Sequence, residues 1–138
     1  MADDKCILDT GPLVSLLHRD DRDHEACVDF LSRFRGNLLT TESVLTEAMY
    51  LLGRYAGAAF ACLDFFIRGG AVLVPLTHES LIRCNFLMNK YADVPMDFAD
   101  ATLVALAEEM KVKTVFTLDH RGFEVYRSMK NSAFRIVP

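Results

Sequence analysis

Lys5-Cys6-Ile7-Leu8-Asp9-Thr10-Gly11-Pro12-Leu13-Val14-Ser15-Leu16-Leu17 is the stretch that decides how this chain is read. An apolar run of strand length, Cys6-Ile7-Leu8, stops on a carboxylate and passes at once into residues with helical spacing. Strand is expected over Lys5 to Asp9 and helix over Gly11 to Leu17. Thr10 serves as the cap, and Pro12 sits in the first turn, where its missing amide proton costs nothing. The alternation repeats along the chain. A helix is expected from Asp23 to Arg35, with Ala26, Cys27, Phe30, Leu31 and Phe34 on one face and Gly36-Asn37 as its stop. Leu38-Leu39-Thr40 reads as strand, and Thr41 caps a helix whose apolar positions are Val44, Leu45, Ala48, Leu51 and Leu52. A helix from Ala58 to Arg68, a strand Ala71 to Val74, and a helix from Thr77 to Tyr91 facing inward with Leu81, Ile82, Phe86 and Leu87 come next. The helix Phe98 to Met110, the strand Thr114 to Leu118, a helical turn near Phe123 to Lys130 and a last strand Phe134 to Val137 complete the series. Five strands alternating with six or seven helices predict a parallel sheet covered by helices.

The 138 residues suit a single domain, 1–138, with a sizeable core, and neither linker, repeat nor low-complexity segment interrupts them. Hydrophobic residues make up 51% and charged residues 25%, as in ordinary globular proteins. No apolar stretch reaches the roughly 18 residues a membrane span needs; the longest, Ala56 to Ile67, is broken by Gly57 and Asp64. Met1-Ala2-Asp3-Asp4-Lys5 is acidic and leads straight into a strand, so it reads as no signal peptide, and the cytoplasm is the expected compartment. Cys6, Cys27, Cys62 and Cys84 show no CxxC or Cys/His spacing and read as small buried hydrophobes. A net charge of −4 argues against a general electrostatic grip on nucleic acid.

Carboxylates stand where a fold normally places apolar side chains. Asp9 and Asp119 each close an apolar strand, and the carboxyl ends of parallel strands are where open α/β sheets bind ligands. Glu47 shares a helical face with Val44, Ala48 and Leu51 and is expected to point inward. Asp97 and Asp100 open a helix, with Asp100 on the face of Leu103, Val104 and Ala107. Each acid has a plain alternative: helix cap for Asp9, rim glutamate for Glu47, dipole partners for Asp97 and Asp100, turn former for Asp119. Four segments each delivering an acid to one edge are better explained jointly, because clustered buried carboxylates repel unless a cation neutralises them. Oxygen donors without thiolate or clustered histidine select Mg²⁺ or Mn²⁺, ions suited to hydrolysing a phosphodiester.

Four segments, Ile7-Leu8-Asp9-Thr10-Gly11-Pro12-Leu13, Thr46-Glu47-Ala48, Ala99-Asp100-Ala101-Thr102-Leu103-Val104-Ala105-Leu106-Ala107 and Thr117-Leu118-Asp119, resemble in order and spacing the PIN-domain ribonucleases, in particular VapC-type toxins. The resemblance implies a three-layer sandwich around a five-stranded parallel sheet and a metal-dependent endoribonuclease acting on RNA. It also implies a homodimer inhibited by an antitoxin protein. Asp9, Glu47, Asp100 and Asp119 would then be the catalytic quartet that binds Mg²⁺ or Mn²⁺, with Asp97 as an additional acid. Thr10 and Thr117 would be hydroxyls that orient a carboxylate or water. Arg121, Arg127 and Lys130 are candidate RNA contacts, and His120 a candidate proton carrier, each competing with a plain surface role. The chain departs from the pattern at Gly122, where many members carry another acid before the phenylalanine. The small and aromatic residues from Ala56 to Phe66 could pack a dimer mate or receive an antitoxin helix, or serve the core.

Other readings compete. Asp9-Thr10-Gly11 also matches the motif of aspartic proteases, but those are nearly all β with a Gly-rich flap, which the helical periodicity here rejects. A phosphatase or receiver-type domain needs a helper lysine after a strand, and none is placed for it. A housekeeping RNA-processing nuclease and a non-catalytic metal-binding interaction module both remain compatible with the acids.

Overall fold

The computed structural model describes residues 4–138. Met1-Ala2-Asp3, and with them the reading of the amino terminus as free of a signal peptide, lie outside the described residues. In chain order the first half comprises β1 (Asp4–Leu8), α1 (Thr10–Leu17), α2 (His24–Arg33), β2 (Gly36–Thr40), α3 (Glu42–Leu52) and α4 (Ala58–Ile67). The second half comprises β3 (Val72–Leu73), α5 (His78–Lys90), α6 (Phe98–Met110), β4 (Thr114–Phe116), α7 (His120–Phe123), β5 (Arg127–Ser128), a 3₁₀ turn (Met129–Asn131), β6 (Ser132–Ala133) and β7 (Arg135–Val137).

Five of the strands form the expected parallel sheet, in the order β3-β2-β1-β4-β7. The chain builds outward from β1 through β2 to β3, then returns to the other side of β1 with β4. The order in which strands are added therefore reverses between β1 and β4, and crevices at the carboxyl side of such a switch bind ligands in open α/β folds. Leu8 lies opposite Phe116, so the two strands end level, and the Asp9 amide still donates to the Phe116 carbonyl at 3.0 Å. The residues just past β1 and those just past β4 thus emerge at one edge of the sheet.

Burial shapes two elements in particular. Cys6, Ile7 and Leu8 are fully buried because a central parallel strand is covered on both faces. Every residue from Ala101 to Ala107 is buried, so α6 is enclosed on all sides, packed against β1, α3 and α5. Its alanines let those neighbours approach. All four cysteines are buried and unpaired.

The structure corrects several boundaries and faces. The helix expected to Arg35 ends at Arg33, and Gly36 begins β2 instead of stopping the helix. A Cβ at Gly36 would lie 2.1 Å from the Asp4 carbonyl oxygen, so the residue is set by the close approach of β1. Ala26 is exposed, β3 covers only two residues, and the last strand starts at Arg135. On α5, Leu81, Ile82 and Phe86 are exposed, not inward; Cys84 and Leu87 are the buried positions, since this outer helix meets α6 along a narrow stripe. Of the helical turn expected near Phe123 to Lys130, α7 ends where that span begins and the 3₁₀ turn Met129–Asn131 lies at its end, the latter inside an antiparallel β5-β6 hairpin. Lys130 and Asn131, both at positive φ, supply its tight reversal.

Candidate active site

At the switch between β1 and β4 lies an open cleft of about 460 Å³. Asp9, Glu47, Asp97, Asp100 and Asp119 all line it, so one cavity gathers the acids expected from four distant segments.

Asp9 is the most buried of them, 7% exposed. It leaves the strand as the N-cap of α1, so the cap is Asp9 and not Thr10, which is already helical. Its Oδ1 accepts from the Thr10 amide at 2.8 Å and its Oδ2 from the Thr117 hydroxyl at 2.6 Å. Burial pushes its pKa up to about 6; those two bonds oppose the rise, and repulsion from Asp119 and Glu47 adds to it. Thr117, fully buried just past β4, also accepts from the Asp119 amide at 2.9 Å. One hydroxyl thus ties the positions of two acids together. Asp119 in turn caps α7, its Oδ1 accepting from the Gly122 amide at 3.1 Å.

Asp97 and Asp100 form a reciprocal capping box at the start of α6. Asp97 Oδ1 accepts from the Asp100 amide at 2.8 Å, and Asp100 Oδ2 from the Asp97 amide at 3.2 Å. The dipole and cap roles are therefore real, and the site is built on them. Asp100 is half-buried, and its pKa rises to about 7, first through burial, then through repulsion from Asp97 and Asp9. Glu47 does not enter the core as expected. It is exposed at the edge of the buried stripe Val44, Ala48 and Leu52, where α3 passes the cleft.

No lysine or arginine is among the residues lining this cleft. Among the described residues no three acids are already gathered into a ready-made ion-binding cluster; they line a shared cavity instead. Thr10 also lines it, and its buried Oγ1 is without a hydrogen-bond partner among the described residues. Arg121 lines a neighbouring cavity of about 250 Å³ that shares Asp119 with the cleft. Arg127 is spent elsewhere: its guanidinium donates to the carbonyls of Glu124, Val125 and Tyr126. Lys130 sits in the hairpin turn and His120 opens α7, both exposed and neither lining the cleft.

The sequence reading missed three cleft residues, Ser15, Asp21 and Asp23. Ser15 donates to Asp21 Oδ1 at 2.8 Å, and the Asp23 amide donates to the same oxygen at 2.9 Å. Burial works to raise the Asp21 pKa, but these bonds outweigh it and hold the carboxyl below its usual range. The signal was the acidic run Asp20-Asp21-Arg22-Asp23 between α1 and α2, which looks like an ordinary surface loop until α1 folds back. Tyr126, which reaches Asp100, was also missed.

A parallel α/β sandwich with an oxygen-lined acidic cleft at its switch point defines the class of protein. The chain belongs to the PIN-domain family: the PIN domain model matches residues 6–128. It is 27% identical over 134 residues to Ribonuclease VapC26 of Mycobacterium tuberculosis, covering 96% of this chain and 99% of that protein. The fold is also that of M. tuberculosis VapC20, a sarcin-ricin loop cleaving toxin, with a TM-score of 0.77 and 19% identity over 83% of this chain and 90% of that one. VapBC2 of Rickettsia felis, solved bound to a DNA fragment from its promoter, gives a TM-score of 0.69 at 13% identity, covering 97% of this chain and 99% of that one.

Proposed function

We propose that this chain is a divalent-metal-dependent endoribonuclease that hydrolyses RNA phosphodiester bonds as the toxin of a toxin–antitoxin pair. The observation that carries the reading is the cleft itself, where acids from five segments line one cavity with no lysine or arginine among its lining residues. Family membership and near full-length similarity to a protein named as a ribonuclease support it.

The residues fit a hard dication. The donor set is all oxygen, two of its carboxylates are driven up by burial and mutual repulsion, and the buried Thr10 hydroxyl lacks a protein partner. Asp9, Glu47, Asp100 and Asp119 would hold Mg²⁺ or Mn²⁺, with Asp97 beside them. When bound, the ion offsets the clustered charge and acts as a Lewis acid toward the phosphodiester. Asp9 is held rigidly by the Thr10 amide and the Thr117 hydroxyl, so it presents fixed oxygens at no further ordering cost. Ser15 in the cleft is committed to Asp21, and Thr117 behind it to Asp9; in this reading water is the attacking group and the unpartnered Thr10 hydroxyl helps to orient it. Arg121, across Asp119, is the cation best placed to meet a substrate phosphate.

A second copy of the chain and an antitoxin are the partners in this reading. Exposed Tyr50, Phe60, Ile67, Leu81, Ile82 and Phe86 give them apolar surface to cover. Among the described residues, no helix is long and apolar enough to cross a membrane.

The test is cleavage of a defined RNA with Mg²⁺ or Mn²⁺. Asp100→Asn and EDTA should each abolish cleavage while circular dichroism shows the fold intact; undiminished cleavage by Asp100→Asn would refute the assignment. Growth arrest on induction, relieved by a co-expressed neighbouring small protein, separates a toxin from a housekeeping nuclease.

A further inference from the structure

We propose that Tyr126 is a positioning residue for Asp100, its buried hydroxyl steering that carboxylate toward the cleft, and that Gly122 is the residue that leaves room for it. The inference rests on the reading of Asp100 as a metal ligand. Tyr126 is 1% exposed, and its ring is fixed edge-on by Tyr91, at 5.2 Å between centroids, and by Phe123, at 5.1 Å. The Tyr91 hydroxyl has a different partner, accepting from the Arg127 amide at 2.9 Å. A ring held this way has little freedom in where it sends its hydroxyl, and Oη donates to Asp100 Oδ2 at 3.3 Å. The Asp97 amide bonds the same oxygen, so two donors converge on Oδ2, and Oδ1 is the oxygen left to ligate.

Gly122 is the other half of the arrangement. A Cβ there would lie 2.7 Å from Asp119 Oδ2 and 3.0 Å from the Tyr126 hydroxyl. A side chain at this position would therefore force Asp119 Oδ2 to shift and would crowd the Tyr126 hydroxyl. A neutral donor thus stands beside the cleft and supports Asp100 without adding to the repulsion among the acids. Glycine at 122 and tyrosine at 126 belong together for this reason.

Mn²⁺ binding in the absence of RNA, followed by calorimetry or by the spin-resonance signal of free Mn²⁺, reads the carboxylate's placement without depending on turnover. Tyr126→Phe removes one oxygen and keeps the ring between Tyr91 and Phe123, so the melting temperature should stay near that of wild type. Its Mn²⁺ affinity should fall about tenfold, the usual effect of removing a group that orients a ligand. Tyr91→Phe breaks a hydrogen bond in the same aromatic cluster, away from Asp100, and should leave Mn²⁺ affinity unchanged. Equal affinity in Tyr126→Phe and wild type overturns the proposal, and so does an equal loss in both variants, which would mark general loosening of the cluster. Absence of Mn²⁺ binding by the wild type is a separate outcome: it removes the metal reading of the cleft, and this inference with it.

Discussion

At the scale of single residues, Thr117 shows how one hydroxyl can set a site. It donates to Asp9 Oδ2 and accepts from the Asp119 amide, so two acids from neighbouring strands share one rigid reference point inside the core. Thr117→Val keeps the shape and deletes both bonds. The Asp9 carboxylate then loses a donor that favours its charged form, and the Asp119 backbone loses its anchor. Metal affinity or RNA cleavage should fall roughly 10- to 100-fold. Thr117→Ser should stay near wild type, and the ratio of the two variants in a metal titration checks the claim. Much of this was legible in the sequence, because Asp9 and the Thr117–Asp119 segment come directly after apolar runs, and parallel strands must end at a common edge. Glu47 was only half legible: helical spacing placed it beside the buried stripe, but spacing cannot say whether the edge of a stripe faces core or cleft. Tyr126 was not legible at all. It lies 26 residues from Asp100, and their meeting depends on how α7 and the hairpin fold back.

At the scale of elements, α5 separates what periodicity reveals from what it hides. The helix carries apolar residues on more than one face, and the sequence cannot tell which face meets α6. Contact with α6 runs through Cys84 and Leu87, supported by the Arg83 guanidinium donating to both carboxylate oxygens of Glu108 at 2.8 and 2.9 Å. Ile82 and Phe86 face outward. Leu87→Ala should therefore cost about 2–5 kcal/mol of stability, as a cavity in a core does. Ile82→Glu should stay within about 0.5 kcal/mol in the monomer while weakening any self-association that uses this face. Denaturant melts at low protein concentration and sedimentation at high concentration distinguish the two effects. The β5-β6 hairpin escaped the sequence reading for a related reason: strands of two residues carry no measurable period. The parallel sheet itself was plain, since buried strands such as Cys6-Ile7-Leu8 leave a continuous apolar run.

At the scale of the whole molecule, the acid cleft makes stability depend on pH and on metal in opposite directions. In the metal-free protein Asp9 sits at about 6 and Asp100 at about 7, both above the ordinary value of 3.8. Both pKa values are raised on folding, so the folded chain binds more protons than the unfolded chain over this range, and stability must fall as pH rises. The contribution is whole below about pH 4 and is lost progressively until pH passes about 7. For Asp9, a displacement of about two pH units corresponds to at most about 3 kcal/mol; Asp100 acts in the same direction. Asp21 is held below its usual range and works the other way, but only at lower pH. Metal-free protein should accordingly melt higher at pH 5 than at pH 8. Asp9→Asn should flatten that difference and raise stability at pH 8, since asparagine can still cap α1. Excess Mg²⁺ or Mn²⁺ at pH 8 should restore stability in wild type, because an ion bound only by the folded form stabilises it by mass action. It should do so far less in Asp9→Asn. Calorimetric melts of the two proteins at pH 5 and pH 8, each with and without Mn²⁺, measure all of these effects. A wild type that melts higher at pH 8 than at pH 5 without metal would mean that burial and mutual repulsion do not strain these carboxylates, and the cleft would lose its reason to bind a cation.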